Sequence, residues 1–252
     1  MNNMVKKVLI VTGGSGGIGA AVAKLACEKG YAVCINYHSS ENKARILYNK
    51  LKDLGYSVIL VKADISNELD VISLFSQTKE KLGNVSALVN NAGIITPIKK
   101  LEFMDKKRLQ RVFDINVIGS FLCAKEAIKT MSTKHGGSGG VIVNVSSIAA
   151  SLGSPNEFID YAATKGAIDT FTIGLAKEVA EEGIRVNAVR PGLIQTEMHA
   201  HAGDANRAEK LKEFIPLKRV GRSNEVANAI LWLLSDSASY VTGSLLDVSG
   251  GR

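Results

Sequence analysis

Short apolar runs alternate along this chain with longer segments in which apolar residues recur every third or fourth position. The runs Val8–Thr12, Ala32–Tyr37, Ser57–Lys62, Ala87–Asn90, Val141–Val145, Arg185–Arg190 and Leu245–Val248 are rich in β-branched residues and predict strands. The helical periodicity predicts a first helix from the glycines after Thr12 to about Lys29, with Gly30 as its stop. It continues with helices over Glu41–Leu54, Glu68–Leu82, Asp105–Thr133, Tyr161–Glu181 and Asn224–Ser235. The strands show no apolar–polar alternation, so both of their faces should be buried, as in a parallel sheet between helix layers. Repeated strand–helix units predict an α/β fold, a doubly wound parallel sheet of about seven strands. With no Pro/Ser-rich linker to divide it, residues 1–252 read as one dinucleotide-binding and catalytic domain, and Gly136–Gly140 as a flexible turn. In such sheets ligands bind beyond the carboxyl ends of the strands.

Composition narrows the function classes. Hydrophobic residues make up 46% of 252, enough for a sizeable core. No apolar run approaches the roughly 18–20 residues of a membrane span, and the N-terminus leads into a strand without a secretory cleavage pattern. Cys27, Cys34 and Cys123 are widely spaced and form no CxxC, which fits free thiols in a reducing cytoplasm. A net charge of +7 raises the question of nucleic acid. The basic residues are dispersed, however, and the densest group (Lys99, Lys100, Lys106, Lys107, Arg108, Arg111) has no interleaved aromatics and reads as a solvated helix face. Neither nucleic acid nor a membrane is expected as a partner; the positive balance suits an anionic cofactor or substrate.

Candidate chemistry lies just after the strands. Thr12-Gly-Gly-Ser-Gly-Gly-Ile-Gly19 ends the first strand and opens the first helix, the context in which glycines let a backbone approach a pyrophosphate. Asn90-Asn-Ala-Gly93 offers small residues and amides after strand four. Asp64 after strand three is either an acceptor for an adenine amino group or a helix N-cap. Ser146-Ser147 after strand five offers a hydroxyl, or merely a turn cap. Tyr161 and Lys165 share a helix face at i and i+4. An ammonium one turn from a phenol favours the phenolate and draws its pKa toward neutrality, which makes the pair a candidate for proton transfer. Asn116, mid-helix, could hold a water that relays protons to Lys165. His199 and His201 lack a third ligand at usable spacing, so no metal site is expected.

Taken in order, these motifs, with Arg190-Pro-Gly192 and Thr196, resemble the short-chain dehydrogenase/reductase family from Val8 to Gly251. The resemblance implies a catalytic tetrad of Asn116, Ser147, Tyr161 and Lys165. It also implies that a nicotinamide dinucleotide meets Gly13, Ser15, Gly17, Ile18, Gly19, Tyr37, His38, Ser39, Asp64, Ile65, Asn90, Ala92, Gly93, Tyr161, Lys165, Pro191, Gly192, Ile194 and Thr196. The substrate would be a small carbonyl or alcohol. Where NAD enzymes place a carboxylate after strand two, this chain has Asn36-Tyr-His-Ser-Ser40, which favours NADP over NAD. Gly16, where NADP-preferring relatives often carry Arg or Lys, argues the other way.

Among branches of the family, the chain is similar to glucose dehydrogenase-type members, to 3-oxoacyl carrier-protein reductases, and most of all to uncharacterised bacterial oxidoreductases. Glu181 and Glu182, where carrier-protein reductases tend to be basic, argue against carrier docking, with Lys134 the remaining contact. Pro155, Glu157 and Phe158 are expected to line the substrate pocket, with residues 196–206 as a lid. Family members commonly form tetramers through the two long helices and the C-terminal segment, and a homotetramer is expected here. A non-catalytic dinucleotide sensor on the same fold is the reading from a different class.

Overall fold

The structure, a computed structural model, describes residues 7–198 and 207–252. Seven strands form one all-parallel sheet: β1 (Val8–Val11), β2 (Ala32–Tyr37), β3 (Val58–Lys62), β4 (Ala87–Asn90), β5 (Gly140–Val145), β6 (Ile184–Pro191) and β7 (Leu245–Val248). Their order is β3-β2-β1-β4-β5-β6-β7. The order reverses beside β1, which pairs β2 through Val8↔Ala32 on one side and β4 through Leu9↔Ala87 on the other. That reversal opens the crevice a doubly wound sheet offers to a ligand.

Successive strand residues point to opposite faces, and two separate cores follow. Leu9, Val11, Val33, Ile35, Val89 and Val143 pack with α1 (Gly17–Glu28) and α9 (Ser223–Leu234). Val8, Ile10, Cys34, Leu88 and Ile142 pack on the other face with α3 (Glu68–Leu82), α5 (Gly119–Met131) and α7 (Ile159–Val179). This two-sided burial is why the strands read as unbroken apolar runs. All three cysteines are buried and unpaired, and burial pushes the thiol of Cys27 up to about 11 and those of Cys34 and Cys123 up to about 12. Among the described residues no helix is long and apolar enough to cross a membrane.

Three readings of the sequence are corrected here. The helix expected over Asp105–Thr133 is instead α4 (Lys106–Phe113), a π turn over Asp114–Ile118, and α5. The wide turn is held from outside the helix: Asn116 Oδ1 accepts from the Ile94 N–H at 2.8 Å and its Nδ2 donates to the Ile94 carbonyl at 3.0 Å. The stretch Gly136–Gly140 is not loose. A Cβ on Gly137 would stand 2.4 Å from the Met131 carbonyl oxygen, and one on Gly139 2.5 Å from that of Gly183, so the glycines are there for contact. The basic cluster is not uniformly solvated. Arg108 turns inward onto Asp160, Nε to Oδ2 at 2.8 Å and Nη2 to Oδ1 at 3.3 Å, and Nη1 donates to the Pro97 carbonyl at 2.7 Å. Asp160 is only 3% exposed. The helix α2 (Glu41–Asp53) stands close to its expected span, and two short helices not predicted from periodicity, α6 (Ala149–Leu152) and α8 (Arg207–Lys210), are each a single turn.

Candidate active site

A cleft of about 590 Å³ runs along the carboxyl ends of the strands. Its first wall is the glycine turn between β1 and α1. Gly13 has φ +60°, and a Cβ there would sit 2.9 Å from Ala92 Cα. At Gly19 a Cβ would meet Asn91 Nδ2 and the Gly13 carbonyl oxygen, both at 2.5 Å. The turn is therefore pinned against the strand-four motif: Asn91 Nδ2 donates to the Thr12 and Gly13 carbonyls at 2.9 and 3.1 Å. No side chain caps α1, and no acidic residue sits in its first turn. Its free N–H groups and positive end are left to an anionic oxygen. A side-chain-free cradle at a helix N-terminus fits the pyrophosphate of a dinucleotide.

Farther along, Tyr37, His38, Ser39, Ser40, Lys43, Asp64 and Arg111 line the cleft. Asp64 does not cap a helix. Asn67 caps α3, accepting from the N–H groups of Leu69 and Asp70, whereas Asp64 Oδ1 accepts from the Ser66 hydroxyl at 2.6 Å and its N–H at 2.9 Å. His38 and Arg111 approach Asp64 Oδ2 at 3.6 and 3.7 Å. Burial pushes the Asp64 carboxyl up, but Ser66, His38 and Arg111 outweigh it and hold the group below its ordinary range. Lys43 pairs with Glu197 across the cleft. Neither Lys43 nor Arg111 was expected in this wall. Lys43 lies in the first turn of α2, close after β2, whereas Arg111 lies in α4, far along the chain from the strand ends it faces.

The third region holds Ser147, Tyr161 and Lys165. The Ser147 hydroxyl accepts from the Ala149 N–H at 3.1 Å and lines the cleft with Tyr161. The Lys165 ammonium lies 5.5 Å from the Tyr161 ring centroid and donates to the Val145 carbonyl at 2.7 Å. Burial pushes the phenol up to about 12, with Ser147 opposing. Burial likewise draws Lys165 down to about 8, with the Asp169 carboxylate opposing. The expectation that Lys165 brings the phenol toward neutrality is corrected: desolvation dominates both groups, and among the described residues it is Ser147 that opposes it at the phenol.

The remaining expected residues divide cleanly. Gly13, Ser15, Gly17, Ile18, Ile65, Ala92, Gly93, Pro191, Gly192, Ile194 and Thr196 line the cleft. Gly19, Asn90 and Asn116 stand behind it. Asn90 Nδ2 donates to the Ser120 carbonyl at 3.1 Å and to Asn144 Oδ1 at 3.0 Å, so its side chain ties strands together, and Asn91 is the amide at the cleft. Asn116 is 1% exposed, and its amide is engaged with Ile94 and, at 3.2 Å, with the Thr164 hydroxyl. It braces the turn beside Lys165 instead of presenting a free amide to a relay water. Phe158 lines the cleft as expected, but Pro155 and Glu157 do not; Leu152, Ser154, Arg207 and Arg252 do. Lys134 pairs with Glu182 at 2.9 Å. His199, His201 and most of the expected lid lie outside the described residues.

The parallel sheet, its glycine cradle and a Ser–Tyr–Lys group at one crevice define a Rossmann-type oxidoreductase. The family model described as Enoyl-(Acyl carrier protein) reductase matches residues 13–252. The chain is 51% identical over 245 residues to the Uncharacterized oxidoreductase YgfF of Escherichia coli, covering 97% of this chain and 99% of that one. It is 35% identical to the 3-oxoacyl-[acyl-carrier-protein] reductase FabG of Staphylococcus epidermidis, covering 98% and 99%. A blue fluorescent protein from a metagenomic library, solved in complex with NADPH, superposes with a TM-score of 0.89 at 32% identity and 99% coverage of each chain. A short-chain dehydrogenase/reductase mutant from Serratia marcescens also gives 0.89, at 31% identity and 97% coverage of each. The chain belongs to the short-chain dehydrogenase/reductase family and is an oxidoreductase of the kind that acts on CH–OH groups.

Proposed function

We propose that this protein is an NADP(H)-dependent oxidoreductase that interconverts a small carbonyl compound and its secondary alcohol, with Tyr161 as the acid/base. The observation that carries this reading is the convergence of Ser147, Tyr161 and Lys165 on the cleft that the glycine cradle opens. The cofactor supplies the hydride. The residues supply the rest. A phenol pushed up to about 12 is protonated at neutral pH, so in the reducing direction it donates its proton to the carbonyl oxygen as charge develops there. The Ser147 hydroxyl steadies the same oxygen. Lys165 stabilises the phenolate left behind, and Asn116, through Ile94, positions the wall that faces Lys165. Gly13, Ser15, Gly17 and Ile18 form the cradle with Gly19 packed behind it, Asp64, Ile65, Ala92 and Gly93 the adenosine side with Asn90 bracing it from behind, and Pro191, Gly192, Ile194 and Thr196 the nicotinamide side.

NADP is favoured over NAD because Tyr37, His38, Ser39, Ser40, Lys43 and Arg111 gather at the wall beyond β2. No carboxylate ends that strand, and these donors suit a 2′-phosphate. Kinetics with both cofactors test this; a higher kcat/KM with NADH overturns it. Tyr161→Phe should lower turnover of a carbonyl panel by about a hundredfold or more while NADPH binding persists. Comparable turnover in that variant removes Tyr161 from the role, and binding without any turnover in the wild type favours the sensor reading. Reduction of carrier-bound 3-oxoacyl thioesters is a weaker alternative. A relative carries that name, but Lys134 is already paired with Glu182.

A homotetramer in the cytoplasm completes the reading. Unpaired thiols support the compartment. Exposed Phe113, Ile118, Phe121 and Ile173 along α4–α5 and α7, with Phe121 stacked on Phe171 at 3.8 Å, support one interface. Light scattering tests the assembly, and a monomer rejects it.

A further inference from the structure

We propose that the substrate end of the cleft is an anion site, and that the substrate carries a carboxylate or phosphate a few bonds from the carbonyl that is reduced. This rests on the carbonyl-reducing reading above and names its substrate class. Arg207, at the start of α8, and Arg252, far from it in sequence, both line the cleft with Phe158 and Tyr161. The Arg207 guanidinium lies on the Phe158 ring, 5.2 Å from its centroid, and Nη2 donates to Glu157. Its Nε is buried and has no hydrogen-bond partner among the described residues. A buried donor on a charged group is costly to leave unpaired, and an acceptor oxygen in the cleft would satisfy it.

The charge count points the same way. Arg252 is half-buried, and its guanidinium is held below its ordinary range by burial first and by the charge of Arg207 second, with Glu157 opposing. Two cations therefore act on each other at the cleft wall beside one side-chain carboxylate, Glu157. An oxyanion would offset their mutual repulsion and accept from Nε together, a charge-assisted contact that a neutral ligand cannot make. The two groups share one end of the cleft: Phe158 immediately precedes α7, Tyr161 lies in its first turn, and both line the wall. An anion beside the Phe158 ring and a carbonyl beside the Tyr161 hydroxyl suit a short oxo acid or a phosphorylated ketone better than a long neutral chain.

The test compares matched pairs on the NADPH-saturated protein: 3-oxobutanoate with its methyl ester, and dihydroxyacetone phosphate with dihydroxyacetone. In at least one pair the anion should show the higher kcat/KM, by about tenfold or more, and the pair that does so identifies carboxylate or phosphate. Arg207→Gln and Arg252→Gln should each lower that anion-to-neutral ratio by about tenfold, and Arg207→Lys should keep part of it. Arg252→Gln guards against a folding defect in the Arg207 variants. No anion preference in either pair, or a ratio unmoved in both Gln variants, overturns the proposal. Calorimetric titration of butanoate and of inorganic phosphate separates this from the reaction itself. Should no carbonyl be turned over, binding that is lost in Arg207→Gln keeps the anion site while the reductase reading falls; no binding of either anion overturns the site.

Discussion

The nucleotide wall and the substrate wall of the same cleft are built by opposite means. The first is made of strand ends and backbone: the turn after β1, the residues after β2 and β3, and Asn91–Gly93 after β4, all fixed by the parallel register of the sheet. The second contains no strand. It consists of α6, a loop in which Ser154 and Asn156 hold left-handed φ of 45° and 64°, the start of α8, and Arg252. Its polar contacts run between side chains that are remote in sequence, such as Arg207 with Glu157. A wall drawn from sheet geometry is shared by every chain with that sheet. A wall drawn from remote side chains belongs to one protein, and there the choice of substrate resides.

The sharpest way to break the first wall is Gly13→Val. The new side chain must adopt a φ of +60° with its Cβ 2.9 Å from Ala92 Cα. The left-handed backbone costs about 1–2 kcal/mol and overpacking about 1–3 kcal/mol. Urea unfolding should show the combined loss, and calorimetry should find no NADPH binding. Retention of both would mean that the cradle is not close-packed.

Next in size is Arg108→Ala, at the joint between the two walls. Arg108 ties Asp160, the neighbour of Tyr161, to the loop at Pro97, and the Asp160 side chain has no exposed surface. Removing one partner of a buried pair strands the other charge, at a cost of about 3 kcal/mol by urea unfolding. Arg108→Leu with Asp160→Leu should lose less than the single change. A loss below about 0.5 kcal/mol for Arg108→Ala would return this residue to the solvated face first assigned to it.

The two walls also differ in how far they could be read from sequence. The spans Ala32–Tyr37, Glu68–Leu82, Ala87–Asn90 and Leu245–Val248 stand as the hydrophobic pattern predicts; in Ala32–Tyr37 and Ala87–Asn90 burial on both faces leaves an unbroken apolar run. The glycine turn was legible for the same reason: its cause is local and steric. The break between α4 and α5 was not, since the Asn116–Ile94 bonds that hold it join distant segments and leave helical periodicity intact. Arg108 was misread because nothing nearby in sequence names Asp160 as its partner. Tyr161 and Lys165 were visible as an i, i+4 pair, but the directions of their pKa shifts depend on burial, which a spacing does not record.

A smaller effect separates Arg111 from Arg108, three residues and one turn before it. Arg111 is exposed and meets Asp64 at 3.7 Å, so Arg111→Ala should leave stability within about 0.5 kcal/mol. KM for NADPH should rise by about tenfold, with a smaller rise for NADH, if this cation faces the 2′-phosphate. Equal changes for both cofactors would place Arg111 outside phosphate recognition and reduce the nucleotide wall to backbone alone.

The smallest expected effect is a shift in pH dependence on Asp169→Asn. Asp169 lies one turn after Lys165 and raises its pKa against burial, which by itself draws the ammonium down; the balance is about 8. Removing the carboxylate's charge leaves burial less opposed, so the Lys165 pKa falls further. Carbonyl reduction needs the charged amine to stabilise the phenolate, so the alkaline limb of kcat/KM, centred near pH 8 in the wild type, should move to lower pH. Stability carries the same signature with its own sign. Lys165 is depressed from 10.5 to about 8 on folding, so the unfolded chain holds the extra proton between those values. Its contribution is complete above about 10.5 and lost as pH falls through about 8. Tyr161, raised from 10.0 to about 12, contributes fully below 10 and loses that as pH rises through 12. The Lys165 share of the urea midpoint should therefore climb between pH 7 and 10, against the opposite loss from the buried thiols of Cys27, Cys34 and Cys123, and in Asp169→Asn that climb should begin at lower pH, read as the difference from the wild type. An alkaline limb and a climb that both stay in place would mean that Lys165 titrates independently of Asp169, and that burial alone sets its charge.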